Sequence, residues 1–375
     1  MPKVRTIIVL LLIAFGLWHL YGDIFQTSGL QGVYEEISTD INEIKENPRF
    51  LSAIDTIKQE VEILYNKITK NTEEIELKQP APEKPELVAP SNQSFSIHNV
   101  EIGDTRSEVE QIAGEPKRST LNDYGIDWVA YHENYHNFFM VAYNAKNEVA
   151  GLFTNQDLLS SQYEITLDST RDYVLSTLEE PLKGIRKGLV TYQFQDTDEY
   201  NTFLIDDNYV TLFYDKHANN TVTAVQIISS TLEQQKEEYF GEPSRALKEG
   251  FEFQLFDLTN AERVKHGLSV LTWDDSVINT VRSHSSDMAQ NNYFSHTNLE
   301  GQSPFDRLAE DAIAFQMAGE NLAAGQPSSI YAHEGLMNSE GHRENKLRSN
   351  YESLTVGVAF NEDGQPFYTE NYLTK

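Results

Sequence analysis

Two histidines near the carboxy-terminal end of the chain stand beside small or hydroxylated residues, in Tyr293-Phe294-Ser295-His296 and Asn338-Ser339-Glu340-Gly341-His342-Arg343. Between them in sequence lies Glu320, within Gly319-Glu320-Asn321-Leu322-Ala323. A neutral imidazole can bind a divalent metal, and a carboxylate can accept its other ring N–H. Imidazoles on separate segments with a carboxylate between them therefore suit a small polar cavity. The plainer reading of the same residues is two capping or core histidines on unrelated turns. The His-Glu-x-x-His spacing that sets two ligands on one helical face is absent, so these groups meet only if the tertiary fold brings them together.

The elements that must position them follow from periodicity. Between Asp274 and Asn291, Val277, Ile278, Val281, Ser285 and Met288 share one helical face, which predicts a helix packed on a sheet. His284 and Asp287 lie three residues apart on it, a pairing distance, and read as structural. Ala314–Ala318, Leu354–Phe360 and Pro366–Tyr372 read as strands. Asn361-Glu362-Asp363-Gly364 is a hairpin signal between the last two. A helix over Tyr331–Met337 should end at Asn338-Ser339 and leave His342 exposed, with Arg343 fixing the loop through a carboxylate or carbonyl. Ser339 beside His342 has the types of a nucleophile and a base. No third orienting group is evident, however, and no strained Gly-x-Ser-x-Gly elbow exists.

Residues from about Leu255 to Leu373 resemble a CAP domain, the superfamily of cysteine-rich secretory proteins, antigen 5 and pathogenesis-related 1 proteins, in its bacterial SCP-like form. The resemblance rests on an ordered run. It opens with Leu258-Thr259-Asn260-Ala261-Glu262-Arg263, Gly267-Leu268 and Leu271-Thr272-Trp273-Asp274. It continues through His284-Ser285-Ser286-Asp287-Met288-Ala289, Tyr293-Phe294-Ser295-His296, Gly301-Gln302-Ser303-Pro304-Phe305 and Arg307. It closes with Gly319-Glu320-Asn321-Leu322-Ala323, Met337-Asn338-Ser339, Gly341-His342-Arg343 and Val356-Gly357-Val358. The resemblance implies an α-β-α sandwich and a central cleft that can hold zinc, onto which His296, Glu320 and His342 map. Ser339 stands where many members carry a second cleft glutamate, and Leu336 where bacterial relatives carry tryptophan. Two imidazoles and one carboxylate could hold zinc with an open position, as catalytic zinc sites do, or form a polar ligand cleft without metal. No other cofactor is implied.

The chain has 375 residues, room for two or three domains, and a formal net charge of −29. So acidic a chain offers no basic footprint for nucleic acid and repels phosphate backbones. It contains no cysteine, which removes disulfides and thiol chemistry together. At the amino terminus, Lys3 and Arg5 precede an apolar run from Thr6 to Tyr21. The run predicts a membrane signal-anchor over residues 1–22 with the rest of the chain outside the cytoplasm; secretion after signal cleavage is the alternative. Residues 23–78 read as a helical stalk. Phe50, Ile54, Ile57, Val61, Leu64 and Ile68 form a short heptad stripe over residues 50–68, suited to self-association or to packing on the same chain. Pro80, Pro82, Pro85 and Pro90 mark a linker over residues 79–95.

Residues 96–232 contain a faint repeat. Ile102-Gly103-Asp104-Thr105-Arg106-Ser107-Glu108-Val109 leads to Gly114-Glu115-Pro116, and Leu167-Asp168-Ser169-Thr170-Arg171-Asp172-Tyr173-Val174 leads to Glu179-Glu180-Pro181. Each is a capped helix start followed by alternating aromatic and β-branched residues, so the region reads as two helix-plus-β-meander units in an α+β domain. It resembles the CAP-associated amino-terminal domain. His98, His132, His136 and His217 read as surface or turn residues. A polar stretch over 233–249 predicts a second linker before the CAP domain at 250–375. Three functions fit. The first is an extracytoplasmic protein that binds an envelope ligand in a His/Glu cleft. The second is a zinc-dependent hydrolase of a peptide or wall substrate. The third is an interaction protein whose repeat domain governs the cleft.

Overall fold

The computed structural model describes residues 82–194 and 197–375; the expected anchor, stalk and heptad stripe lie outside the described residues. Residues 81–375 form one compact unit. No helix among the described residues is long and apolar enough to cross a membrane.

The chain enters as an extended segment. Glu101 pins it by accepting from the backbone N–H groups of Ser91, Asn92 and Gln93 at 2.7–2.8 Å. In the repeat region, β1 (Phe95–Ile97) precedes α1 (Arg106–Ala113), then β2 (Arg118–Leu121), β3 (Asp127–Glu133), β4 (His136–Tyr143), β5 (Val149–Thr154) and the short β6 (Leu159–Ser161), which pairs with β1. The second unit runs α2 (Arg171–Thr177), β7 (Gly184–Lys187), β8 (Val190–Gln193), β9 (Tyr200–Ile205), β10 (Asn208–Asp215) and β11 (Thr221–Ser229). Thr105 and Thr170 cap the two helices, as the repeated motif requires. The two meanders are one seven-stranded antiparallel sheet, ordered β2-β3-β4-β5-β11-β10-β9, because β5 of the first unit pairs with β11 of the second.

After α3 (Ser230–Gln235), the CAP region is built from α4 (Arg245–Lys265), β12 (Thr272–Trp273), α5 (Ile278–Asn291), α6 (Pro304–Glu310), β13 (Met317–Ala324), α7 (Ser329–Asn338), α8 (Glu340–Leu347), β14 (Ser353–Phe360) and β15 (Pro366–Thr374). Its four strands are ordered β12-β14-β15-β13, with β13 at the edge. Alternation along the strands splits the core in two. Tyr368 and Tyr372 join Phe251, Leu255, Ala332 and Leu336 of α4 and α7 on one face. Phe367 and Leu373 join the α5 side, with Met288 and Val281. The result is the three-layer α-β-α sandwich the resemblance implies.

Three sequence expectations change here. The stretch read as a linker over 233–249 ends inside α4, and Leu247 is buried. The two regions also share a core. Trp128, Phe138, Met140, Phe213 and Ile228 of the seven-stranded sheet pack on Leu258, Ala261 and Ile330 of the CAP helices. Apolar burial on that scale outweighs the polar look of the connecting sequence. A Cβ added at Gly250 on α4 would meet the carbonyl oxygen of Leu121 at 2.0 Å, so this glycine lets the helix lie against β2. The strand expected at 314–318 lies instead at Met317–Ala324. His98, read as a surface or turn residue, does lie in the turn after β1, but it is buried there and stacks on Phe139 at a centroid distance of 4.7 Å.

Candidate functional site: the cleft at the β13 edge

The Gly-Glu-Asn segment is the strand that organises the site. Glu320 pairs with Asn371 and Asn321 with Glu370 in antiparallel register, so successive polar side chains leave opposite faces of the edge strand. A Cβ at Gly319 would meet the Tyr351 hydroxyl at 2.2 Å, which explains the glycine. Burying Glu320 requires compensation. Its Oε1 is 2.9 Å from Nδ1 of His296, and its Oε2 accepts from Arg307 at 2.7 Å and from Asn371 at 3.1 Å. Burial alone would raise the Glu320 carboxyl. The His296 hydrogen bond and the Arg307 charge overcome it and hold the group below the usual carboxylate range. Glu320 is therefore ionised and can only accept, so Nδ1 of His296 carries the hydrogen, and in the neutral ring Nε2 presents a bare lone pair. The His296 side chain is 51% exposed, against 2% for that of Glu320.

Arg307, on α6, also donates to the carbonyls of His296 at 2.8 Å and Gln302 at 3.1 Å. It thereby holds the loop that carries His296 against the carboxylate that orients it. Arg307 and Asn371 complete the candidate site through Glu320, and sequence reasoning did not assign them. Arg307 stood in the ordered motif run; Asn371 had no signal beyond its strand position.

His342 does not sit on an exposed loop after a single helix. It lies within α8, which follows α7 after the break at Ser339. Ser339, the expected helix end, spends its hydroxyl on Nδ1 of His342 at 2.8 Å instead of capping the helix. Burial lowers the His342 pKa, the Glu370 charge opposes that, and the nearby His296 and Lys346 lower it further. His342 and His296 are thus electrostatic neighbours, while no hydrogen bond joins His342 to Glu320 among the described residues. Beneath α8, Lys346 is fully buried on Glu370 at 2.6 Å, and Glu370 also accepts from Asn321 and Tyr372. Asn321 donates to the His342 carbonyl at 3.1 Å, tying the α8 side of the site to the edge strand. Among the described residues, Nε2 of His342 has no protein partner, so the Ser339–His342 pair lacks the third orienting group of a nucleophilic triad.

His284 is buried, in keeping with a structural reading, but its partner is not the one its spacing suggested. It does not pair with Asp287, which accepts from Asn291 and Tyr293. Its Nε2 is 3.0 Å from the Ser295 carbonyl and 4.0 Å from Glu320 Oε1, directly behind the cleft wall.

The donor set does not fit a three-ligand zinc site. Both Glu320 oxygens are engaged by His296, Arg307 and Asn371, and among the described residues no three His, Asp or Glu side chains come together with the geometry to hold a metal ion. What the site offers is two imidazoles on an open edge, one held from behind by a carboxylate.

A three-layer α-β-α sandwich with the His296–Glu320 pair at its sheet edge is the architecture of a CAP-type protein. Two family profiles match in tandem: "CAP-associated N-terminal" over residues 102–239 and "Cysteine-rich secretory protein family" over residues 256–372. The Bacillus subtilis (strain 168) "Uncharacterized membrane protein YlbC" is 32% identical over 292 residues, covering 73% of this chain and 82% of that protein. The chain belongs to the CAP family, with a CAP-associated domain preceding the CAP domain. An extracellular SCP-domain protein from Bacillus anthracis str. Ames superposes with a TM-score of 0.62 at 26% identity, over 80% of this chain and all of that one. A cysteine-rich secretory protein from Staphylococcus aureus shares the fold, with a TM-score of 0.59 at 14% identity over 76% of this chain and 95% of that one.

Proposed function

We propose that this is an envelope-facing CAP protein, held at the membrane by residues 1–22, that binds a donor-rich wall or peptide ligand in the His296–Glu320–His342 cleft beside Ser339. The observation that carries the reading is the His296–Glu320–Arg307 chain. It fixes a half-exposed imidazole with its Nε2 acceptor facing out, and such an atom recognises ligand N–H or O–H groups. Binding is favoured over turnover because Glu320, buried and with both oxygens engaged, is not free to take a proton from water. The membrane placement draws on the Lys3/Arg5-led apolar run and on the description of the Bacillus subtilis relative YlbC as a membrane protein. Co-sedimentation of the full chain with purified cell-wall sacculi tests the reading. Wild type should pellet, and His296→Ala and His342→Ala should each remain in solution. Equal pelleting of all three would refute it.

A second reading has its own observation: the turn after β10 grips the segment that carries His342. The Asn338 side chain accepts from the Lys216 N–H and donates to the Tyr214 carbonyl, both at 2.9 Å. The repeat region would then set the position of α8 and so govern the cleft. If it does, Lys216→Pro, which removes one of those donors, should change sacculus binding while leaving His296 and Glu320 intact.

A further inference from the structure

Beside Arg307 lies an open concavity of about 490 Å³, lined from α5 by Thr280, Ser283, His284 and Asp287 and bordered by the 298–311 segment. That volume is within the range of small-molecule sites. Four carboxylates border it, from Asp287, Glu300, Glu310 and Asp311, against the one cation Arg307. Arg307 is already committed to Glu320 and to two carbonyls. The groove is thus strongly anionic. Acidity alone does not make a site; the group at its base does.

His284 is 2% exposed. Its Nε2 faces the Ser295 carbonyl, which can only accept, so Nε2 carries the hydrogen. Burial, opposed by Glu320, lowers the ring's pKa and favours the neutral form. Nδ1 is then a bare acceptor, and it is buried without a protein partner among the described residues. An unsatisfied buried acceptor is costly, and none of the surrounding carboxylates can donate to it when ionised. The missing partner must bring an N–H or O–H, and the four carboxylates select one that is positively charged. Leu299, 65% exposed at the rim, offers an apolar contact for a carbon stem. A bare metal ion meets the charge requirement but donates no hydrogen, and no three-ligand set exists among the described residues.

We propose that the groove behind His284 binds a primary alkylammonium group, which donates to Nδ1 of His284, lies among Asp287, Glu300, Glu310 and Asp311, and rests its stem on Leu299. The groove shares Arg307 with the Glu320 site but is not lined by His296, Glu320 or His342, so the proposal does not rest on what those residues bind.

The test uses the full chain and n-butylammonium chloride, with tetramethylammonium chloride as a cation without N–H and 1-butanol as a donor without charge. Nitrogen-15 spectra of the histidine rings are recorded during each titration. Butylammonium should move the Nδ1 resonance of His284 saturably, and the other two should not. Glu300→Gln with Glu310→Gln, both exposed, should weaken butylammonium about threefold or more through lost attraction while preserving the unfolding temperature. Equal responses to tetramethylammonium or butanol would overturn the proposal. So would an unmoved His284 ring, which would assign the Nδ1 partner to bound water only, or binding indifferent to the double variant.

Discussion

Arg343 on α8 contacts Asp215 at the end of β10 at 2.9 Å, joining the helix that carries His342 to the seven-stranded sheet. Both side chains are largely buried, at 17% and 11% exposure. Arg343 also donates to the Met337 carbonyl at 3.2 Å, so it braces the α7–α8 break from both sides. Asp215→Asn should cost about 1.5–3 kcal/mol, the range for a hydrogen bond to a charged group. Urea unfolding checks this. An unchanged midpoint would mean the contact contributes nothing.

Glu320→Gln should be more damaging. It leaves the Arg307 guanidinium buried opposite a neutral amide, and removing one member of a buried pair costs about 3–5 kcal/mol. The pH dependence has a definite sign. The folded pKa of Glu320 is depressed, so its contribution is present above the unfolded value, near ~4.3, and is lost as pH falls through the folded value. Wild type and Glu320→Gln should therefore converge in stability as the medium is made strongly acidic. A gap that persists or widens in acid would contradict the assignment.

The sequence and the structure agree where the pattern is apolar. The two capped helices with their meanders, the 361–364 hairpin and the buried stripe of α5 were all legible because Thr caps, Asp-Gly turns and spaced Val and Met residues report locally. They part where polar residues are buried. Met317–Ala324 did not look like a strand because Glu320 and Asn321 occupy its centre, and it is His296, Arg307, Asn371, Asn345 and the Glu370 network that make that burial tolerable. His284 looked like a partner for Asp287 for the same reason: its actual partner, the Ser295 carbonyl, is supplied by a later loop. The pairing of β5 with β11 and the packing of the sheet on α4 are non-local, and no window of sequence contains them.

Glu334 on α7 should set a pH dependence of opposite sign. It is buried, one carboxylate oxygen has no partner among the described residues, and burial together with the Glu262 and Asp215 charges pushes its pKa to about 8. A folded pKa above the unfolded one means the fold favours the protonated acid. That contribution is complete below ~4.3 and is lost as pH rises through about 8. Glu334→Gln, a permanent mimic of the acid, should be the more stable protein at pH 7, by on the order of 3 kcal/mol. The advantage should vanish near pH ~4. Unfolding midpoints of both proteins across that span decide it; a Gln variant weaker than wild type at pH 7 would show Glu334 to be ionised and paired.

Gly250→Ala probes the shared core. The added methyl would meet the Leu121 carbonyl oxygen at 2.0 Å, and the contacted atom is backbone, which cannot swing aside. On an exposed helix this change would help by about 1 kcal/mol. Here α4 must back away from β2, and overpacking typically costs about 1–3 kcal/mol. The unfolding temperature should fall. A rise would mean that helix and sheet separate freely.

Zinc tests the cleft from another side. Structural zinc sites contribute about 10–16 kcal/mol through four protein ligands, and catalytic sites use three. Here His296 and His342 offer at most two imidazole donors, because Glu320 is consumed by Arg307, Asn371 and the His296 ring itself. Chelator should therefore leave the unfolding temperature of the purified full chain unchanged, and zinc titration should give weak affinity. Any zinc that does bind should be lost in His296→Ala and His342→Ala. It should also weaken as the solution is acidified through the imidazole range near ~6.5, since protons compete for the same lone pairs. A chelator-induced drop in unfolding temperature that both histidine variants abolish would mean that Arg307 and Asn371 release Glu320 to the metal, and the carboxylate would then belong to the ligand set.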